Sequence, residues 1–134
     1  MHESYVSLEI AKLLKKLGFK WGCQAAWDLT FPDEPYLNYA AVYPTDFNND
    51  VDDILYAPTL SVAQRWLREE KNHHVCVSFV FANNHKYYAF VSRPSDRGHL
   101  ECECGWIENE FNTYEEALES GIKKELEIIL EKGE

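Results

Sequence analysis

Cys102 and Cys104 stand one residue apart, with His99 three positions upstream. On a strand, residues i and i+2 face the same way, so both thiols can reach one ion. A closed zinc site needs four ligands, usually arriving as two close pairs. The second pair is missing here; Cys23, Cys76, His73, His74 or His85 would have to arrive through the fold. The competing reading places both cysteines on the core side of a strand, with Glu101 and Glu103 outside, and it is the stronger one. Cys23 and Cys76 sit in apolar runs and read as small buried hydrophobes. Asp46-x-Asn48-x-Asp50 copies the start of a calcium loop. It then departs from the pattern, with Val51 where Gly is needed and Ala57 where a bidentate Glu is needed. Ser95, Asp96 and His99 are the residue types of a hydrolase triad, but they crowd one short stretch without a nucleophile elbow. Cys76 with His73 or His74 fails as a nucleophile pair, because strand neighbours do not easily meet and nothing there lowers the thiol pKa. No glycine-rich phosphate loop, dinucleotide fingerprint or zincin motif occurs in the sequence. No catalytic residue is assigned, no cofactor is expected, and Cys102, Cys104 and His99 remain weak metal candidates.

The aromatic residues carry the other chemistry. Trp21, Trp27, Tyr36, Tyr39, Tyr43, Tyr56 and Trp66 fall in a half of the chain that is poor in cations. A cleft of Trp and Tyr edged by Asp suits a sugar, a cation or a peptide. Trp27, Tyr39, Tyr43 and Trp66 are its candidate walls. Most of these rings are also what a small core needs to fill its volume.

The elements that position these residues follow from periodicity. Ser7 caps a first helix, with Ile10, Leu13, Leu14 and Leu17 at helical spacing and Gly18 at its left-handed end. Phe19 falls where it packs back on Leu14. Cys23 to Thr30 alternates as a half-buried strand. Tyr36 to Tyr43 reads as a second strand, ended by Pro44. Asp46 to Asp53 is an acidic loop, and Ile54 to Ala57 a short strand. Thr59 caps a second helix that ends near Asn72, with Leu60, Ala63, Trp66, Leu67 and Glu70 on one face. Val75 to Phe81 is the strongest strand signal, and Asn83-Asn84 turns the chain into Lys86 to Ser92. Both strands are apolar on both faces. One face is expected to meet helices and the other a loop, a strand or a partner chain, a second copy included. Arg93 to Gly98 reads as a loop and His99 to Cys104 as a third strand. Thr113-Tyr114-Glu115-Glu116 is a capping box for a last helix. Its apolar face is Ala117, Leu118, Gly121, Ile122, Leu126, Ile129 and Leu130.

Strands therefore come in antiparallel-like groups between helices. The fold class is α+β: a mainly antiparallel sheet of about four to six strands with three helices packed on it. A chain of 134 residues suits a single domain over residues 1–134. No apolar run approaches the length needed to span a bilayer, and Met1 to Ser4 shows no export-signal pattern, so no membrane is expected. Without an export signal, the four cysteines read as reduced thiols.

Charge excludes one class of function. Lys plus Arg total 13 and Asp plus Glu total 23, a net charge of −10. Direct binding to nucleic acid needs a basic surface, which this chain lacks. Residues 101–134 hold 11 acidic and 3 basic residues, and residues 21–64 hold seven carboxylates with no Lys or Arg. The plain reading is a solvated surface. The sharper one is an acidic face, built by Glu115, Glu119, Glu127 and Glu131 of the last helix. It would meet a basic partner or mimic the phosphates of DNA.

Three stretches carry a resemblance: Tyr5-Val6-Ser7-Leu8-Glu9-Ile10-Ala11-Lys12-Leu13-Leu14-Lys15-Lys16-Leu17-Gly18-Phe19, then Ala57-Pro58-Thr59-Leu60 with Gln64-Arg65-Trp66-Leu67-Arg68-Glu69, and Thr113-Tyr114-Glu115-Glu116-Ala117-Leu118-Glu119. Over about half the chain, by the spans just named, the sequence resembles small uncharacterised proteins encoded in prophages and mobile elements of gut Bacteroidetes. The matching motifs are helix caps and core patterns. The resemblance implies a cytoplasmic accessory protein and transfers no functional residue. The expected function is a non-catalytic interaction domain with an unidentified protein partner. The alternative is a small-ligand binder or enzyme using the aromatic, acidic N-terminal half.

Overall fold

The structure, a computed structural model, describes residues 5–21, 25–29, 33–38, 54–80, 86–95, 98–107 and 110–132. The elements run α1 (Leu8–Lys16), β1 (Ala26–Asp28), β2 (Tyr36–Asn38), β3 (Ile54–Tyr56), α2 (Leu60–Lys71), β4 (His74–Val80), β5 (Lys86–Ser95), β6 (Gly98–Trp106) and α3 (Tyr114–Glu131). Among the described residues the class is α+β with three helices, as expected, and the six strands there do not form one sheet. They form two antiparallel sheets of three, in the orders β2-β1-β3 and β4-β5-β6. The chain divides into two units, residues 1–59 with 126–134 and residues 60–125.

In the first unit, Ser7 Oγ accepts the Ile10 amide at 3.3 Å and opens α1. Gly18, at φ +85°, closes it. The Gly18 amide reaches the Lys15 carbonyl at 3.1 Å, and the Phe19 amide reaches Leu14 at 3.0 Å. These two bonds satisfy two of the last carbonyls of the helix, and Phe19 is fully buried. Ile10, Ala11 and Leu14 form the buried stripe of α1. The first sheet is short: Trp27 pairs with Leu37 on one side and Leu55 on the other. The longer strands expected over residues 23–30 and 36–43 are described only at 25–29 and 36–38. The acidic stretch Asp46 to Asp53 and the Asn83-Asn84 turn lie outside the described residues.

The second unit holds the longer sheet. β4 runs antiparallel to β5 from His74↔Ser92 to Val80↔Lys86, and β5 to β6 from Phe90↔Trp106 to Pro94↔Cys102, with a register shift between Pro94 and Ser95. Arg93, Pro94 and Ser95, expected in a loop after Ser92, belong to the strand. Proline is excluded from a strand when its missing N–H would break a ladder. Tyr87 and Ala89 bond toward Phe111 and Ile107, on the β6 side. By alternation, Pro94 turns its nitrogen to the other edge, beyond the last β4 pair at His74. No ladder bond is lost there.

Side-chain alternation then fixes two faces. Val75, Ala89 and Val91 are buried on the inner face. The start of α3 lies over them; Gly121 comes so close that a Cβ there would stand 2.6 Å from Val75 Cγ1 and 3.2 Å from Ala89 Cβ. Thr113 Oγ1 accepts the Glu116 amide at 3.1 Å at the head of α3. Leu60, Ala63, Trp66 and Leu67 are buried on α2, whereas Glu70, expected on that face, is exposed. Asn72, at φ 59°, ends α2.

Candidate functional site

The inner face of the second sheet carries one group of charges. Glu125 is fully buried and His73 is 2% exposed. His73 Nδ1 lies 3.0 Å from Glu125 Oε1. Arg93 donates through Nε to Oε1 at 2.9 Å and through its terminal nitrogen to Oε2 at 2.8 Å. Burial alone would push the Glu125 carboxyl up. The hydrogen bonds from His73 and Arg93, with their charges, outweigh it and hold the carboxyl below its ordinary range. A carboxylate only accepts, so the Nδ1 proton sits on His73. An oriented carboxylate–histidine pair is one ingredient of acid–base catalysis. This one has almost no solvent access, and it serves to hold α3, β5 and the end of α2 together.

The outer face of the same sheet is open. His74, Cys76, Val80, Cys104 and Trp106 on it are exposed, and Ser78, Tyr88 and Phe90 are half-buried. Trp106 is 55% exposed. Its ring meets Phe90 at 5.0 Å and 68°, and Tyr88 at 6.4 Å and 85°, both edge-on arrangements favoured by the ring quadrupoles. Beside these rings lies a hollow of about 290 Å³ lined by Val80, Tyr88, Trp106 and Ile107. Its edge is polar. The Tyr88 hydroxyl donates to Glu110 Oε2 at 3.0 Å, and Lys86 donates to the side-chain carbonyl of Asn112. The hydrogen bond to Glu110, with burial and the carboxylate charge adding to it, holds the Tyr88 hydroxyl above its usual pKa.

Of the candidate residues, Trp27 and Trp66 belong to different units, and others lie wholly or by their side chains outside the described residues. Trp66 is 3% exposed, with the Lys71 ammonium 5.8 Å from its ring, so it walls no open cleft. Trp27 is half-buried and donates Nε1 to the Val6 carbonyl at 3.1 Å. Tyr39 and Tyr43 lie outside the described residues. Cys76, read as buried, is exposed, because β4 places residues 74, 76, 78 and 80 on the outer face. Cys104 is also exposed rather than on the core side, and its thiol donates to Ser92 Oγ at 3.3 Å. The backbones of His99 and Cys102 lie in β6, and their side chains are outside the description. Among the described residues, no three His, Cys, Asp or Glu side chains gather as a metal site.

Glu115, Glu127 and Glu131 on α3 are exposed, and Glu119 is half-buried. At about 100° per residue, Glu115 and Glu119 fall roughly 120° around the helix from Glu127 and Glu131, with Lys123 between the pairs. All four fall within about 160° of the helix circumference, as two acidic pairs.

Two site features were missed from sequence. Trp106 lies two residues beyond the expected end of the third strand, yet it continues the alternation of Cys102 and Cys104. Glu125 is not among the expected site residues, although it sits on the apolar stripe between Ile122 and Ile129. Comparison with protein-family models, curated proteins and solved structures finds no match to this chain.

Proposed function

We propose that the chain is a non-catalytic protein-interaction domain that presents the outer face of β4-β5-β6 to a partner. One observation carries the reading: an indole 55% exposed, buttressed edge-on by Phe90 and Tyr88, beside an apolar hollow. Trp and Tyr in such settings supply most of the binding energy at protein interfaces. Val80 and Trp106 are the exposed large hydrophobic residues on this face, and exposed apolar groups that lie together mark interaction sites. The carboxylates of α3, Glu115 and Glu127 among them, add a long-range field that draws a basic partner. The role of accessory protein to a mobile element, in the cytoplasm, rests on the sequence resemblance alone. A ligand cleft in the N-terminal half has weaker support, since the Trp66 ring is buried and the Trp27 nitrogen is engaged within its own unit.

The test is affinity capture from a lysate of the source cell, comparing the native chain with a Trp106→Ala, Val80→Ser variant shown folded by circular dichroism. Both are run at low and high salt. A partner held by the native chain and lost from the variant supports the reading. Identical capture by both chains removes this face as the interface.

A further inference from the structure

We propose that the hollow beside Trp106 takes one arginine or lysine side chain from a segment of the partner. The proposal rests on the interaction reading above and adds the chemistry of the occupant. The lining of Val80, Tyr88, Trp106 and Ile107 is apolar and suits the methylene stem of such a side chain. The rim suits its head. Glu110 is exposed and held beside the hollow by the Tyr88 hydroxyl at 3.0 Å. A carboxylate has about four acceptor sites, and Tyr88 fills one of them. An ammonium or guanidinium placed there also meets the aromatic cluster, which attracts cations through the ring quadrupole. Guanidinium fits better, because its planar fork matches a carboxylate and stacks on rings.

The charge of the whole chain argues the same way. At a net −10, a second copy is repelled and a cationic segment is attracted. Lys86 limits the partner. It lies on the same face, two residues before Tyr88, and donates to Asn112. Its charge opposes a dense basic tract, so the fit is to an isolated cation flanked by neutral residues.

The experiment is an NMR titration of the full chain with the peptide acetyl-Gly-Ala-Arg-Ala-Gly-amide and with its citrulline analogue, which keeps the shape and loses the charge. The readout is the indole N–H resonance of Trp106, assigned with Trp106→Phe, with that of the buried Trp66 as control. The arginine peptide is expected to move Trp106 and to bind about fivefold or more tighter than the citrulline peptide. Glu110→Gln is expected to weaken the arginine peptide about threefold, and the citrulline peptide less. Equal affinity for both peptides, or no movement of Trp106, overturns the proposal. If the double variant still loses a captured partner in that case, the interaction reading stands and only the cationic occupant falls. Failure of both experiments removes both. A dimer seen by sedimentation in the native chain and lost in Trp106→Ala assigns the face to a second copy and also overturns the proposal.

Discussion

Glu125 accepts from two cationic or potentially cationic side chains while having no exposure of its own. Removing one partner of such a buried group leaves the others desolvated and unmatched. Glu125→Ala is therefore expected to cost about 3–5 kcal/mol, read as a fall in the urea midpoint. Replacing His73, Arg93 and Glu125 together by apolar residues of similar volume is expected to recover most of that loss. The pH dependence has a definite sign. The Glu125 carboxyl is lower in the folded chain than in the unfolded one. Its contribution is thus complete above the ordinary carboxylate pKa and is lost as pH falls through the folded value. The native midpoint should drop more than that of Glu125→Gln between about pH 5 and pH 3. Equal slopes for the two proteins would assign the acid sensitivity elsewhere. This residue was readable in principle: Leu118, Ile122, Glu125 and Ile129 share one helical stripe. Its partners were not, because Arg93 was hidden by the turn-like composition around Pro94.

At the scale of elements, local signals were legible and pairing was not. Two of the three expected helix caps stand where the residue types placed them, Ser7 on α1 and Thr113 on α3. Ser7→Ala and Thr113→Ala should each lower stability by about 1 kcal/mol in urea unfolding. The left-handed Gly18 and the buried Phe19 also follow from sequence, since only local backbone geometry is involved. The split into two sheets does not, because alternation shows that a strand is half-buried without naming its neighbour. Gly121 shows the same limit. Its place on the apolar face of α3 was clear, but its contact with Val75 and Ala89 needs the tertiary structure. Gly121→Val is expected to destabilise by about 2 kcal/mol or more, through overpacking that outweighs any gain in helix propensity. Asn72 turns the chain out of α2 at φ 59°, and the His73 amide reaches back to the Leu67 carbonyl at 3.0 Å. That turn sets His73 between α2 and β4, where it meets Glu125.

In a chain of net charge −10, the outer face of β4-β5-β6 is an open aromatic face. The expected sheet face needing a cover is now a particular set of residues, Val80, Tyr88, Phe90 and Trp106, all in the second unit. Its existence was legible from two strands apolar on both sides; its most exposed ring, Trp106 on the edge strand β6, was not, because Gly105 and the following Ile107 blur the end of the third strand. The four indoles of the chain differ widely in burial: Trp66 is buried, Trp21 and Trp27 are half-buried, and Trp106 is exposed. A water-exposed indole emits at longer wavelength and is reached first by a neutral quencher such as acrylamide. Trp106 therefore gives the protein an optical gauge of its own. Occupancy of the outer face would register as a blue shift and a loss of quenching, without any label attached.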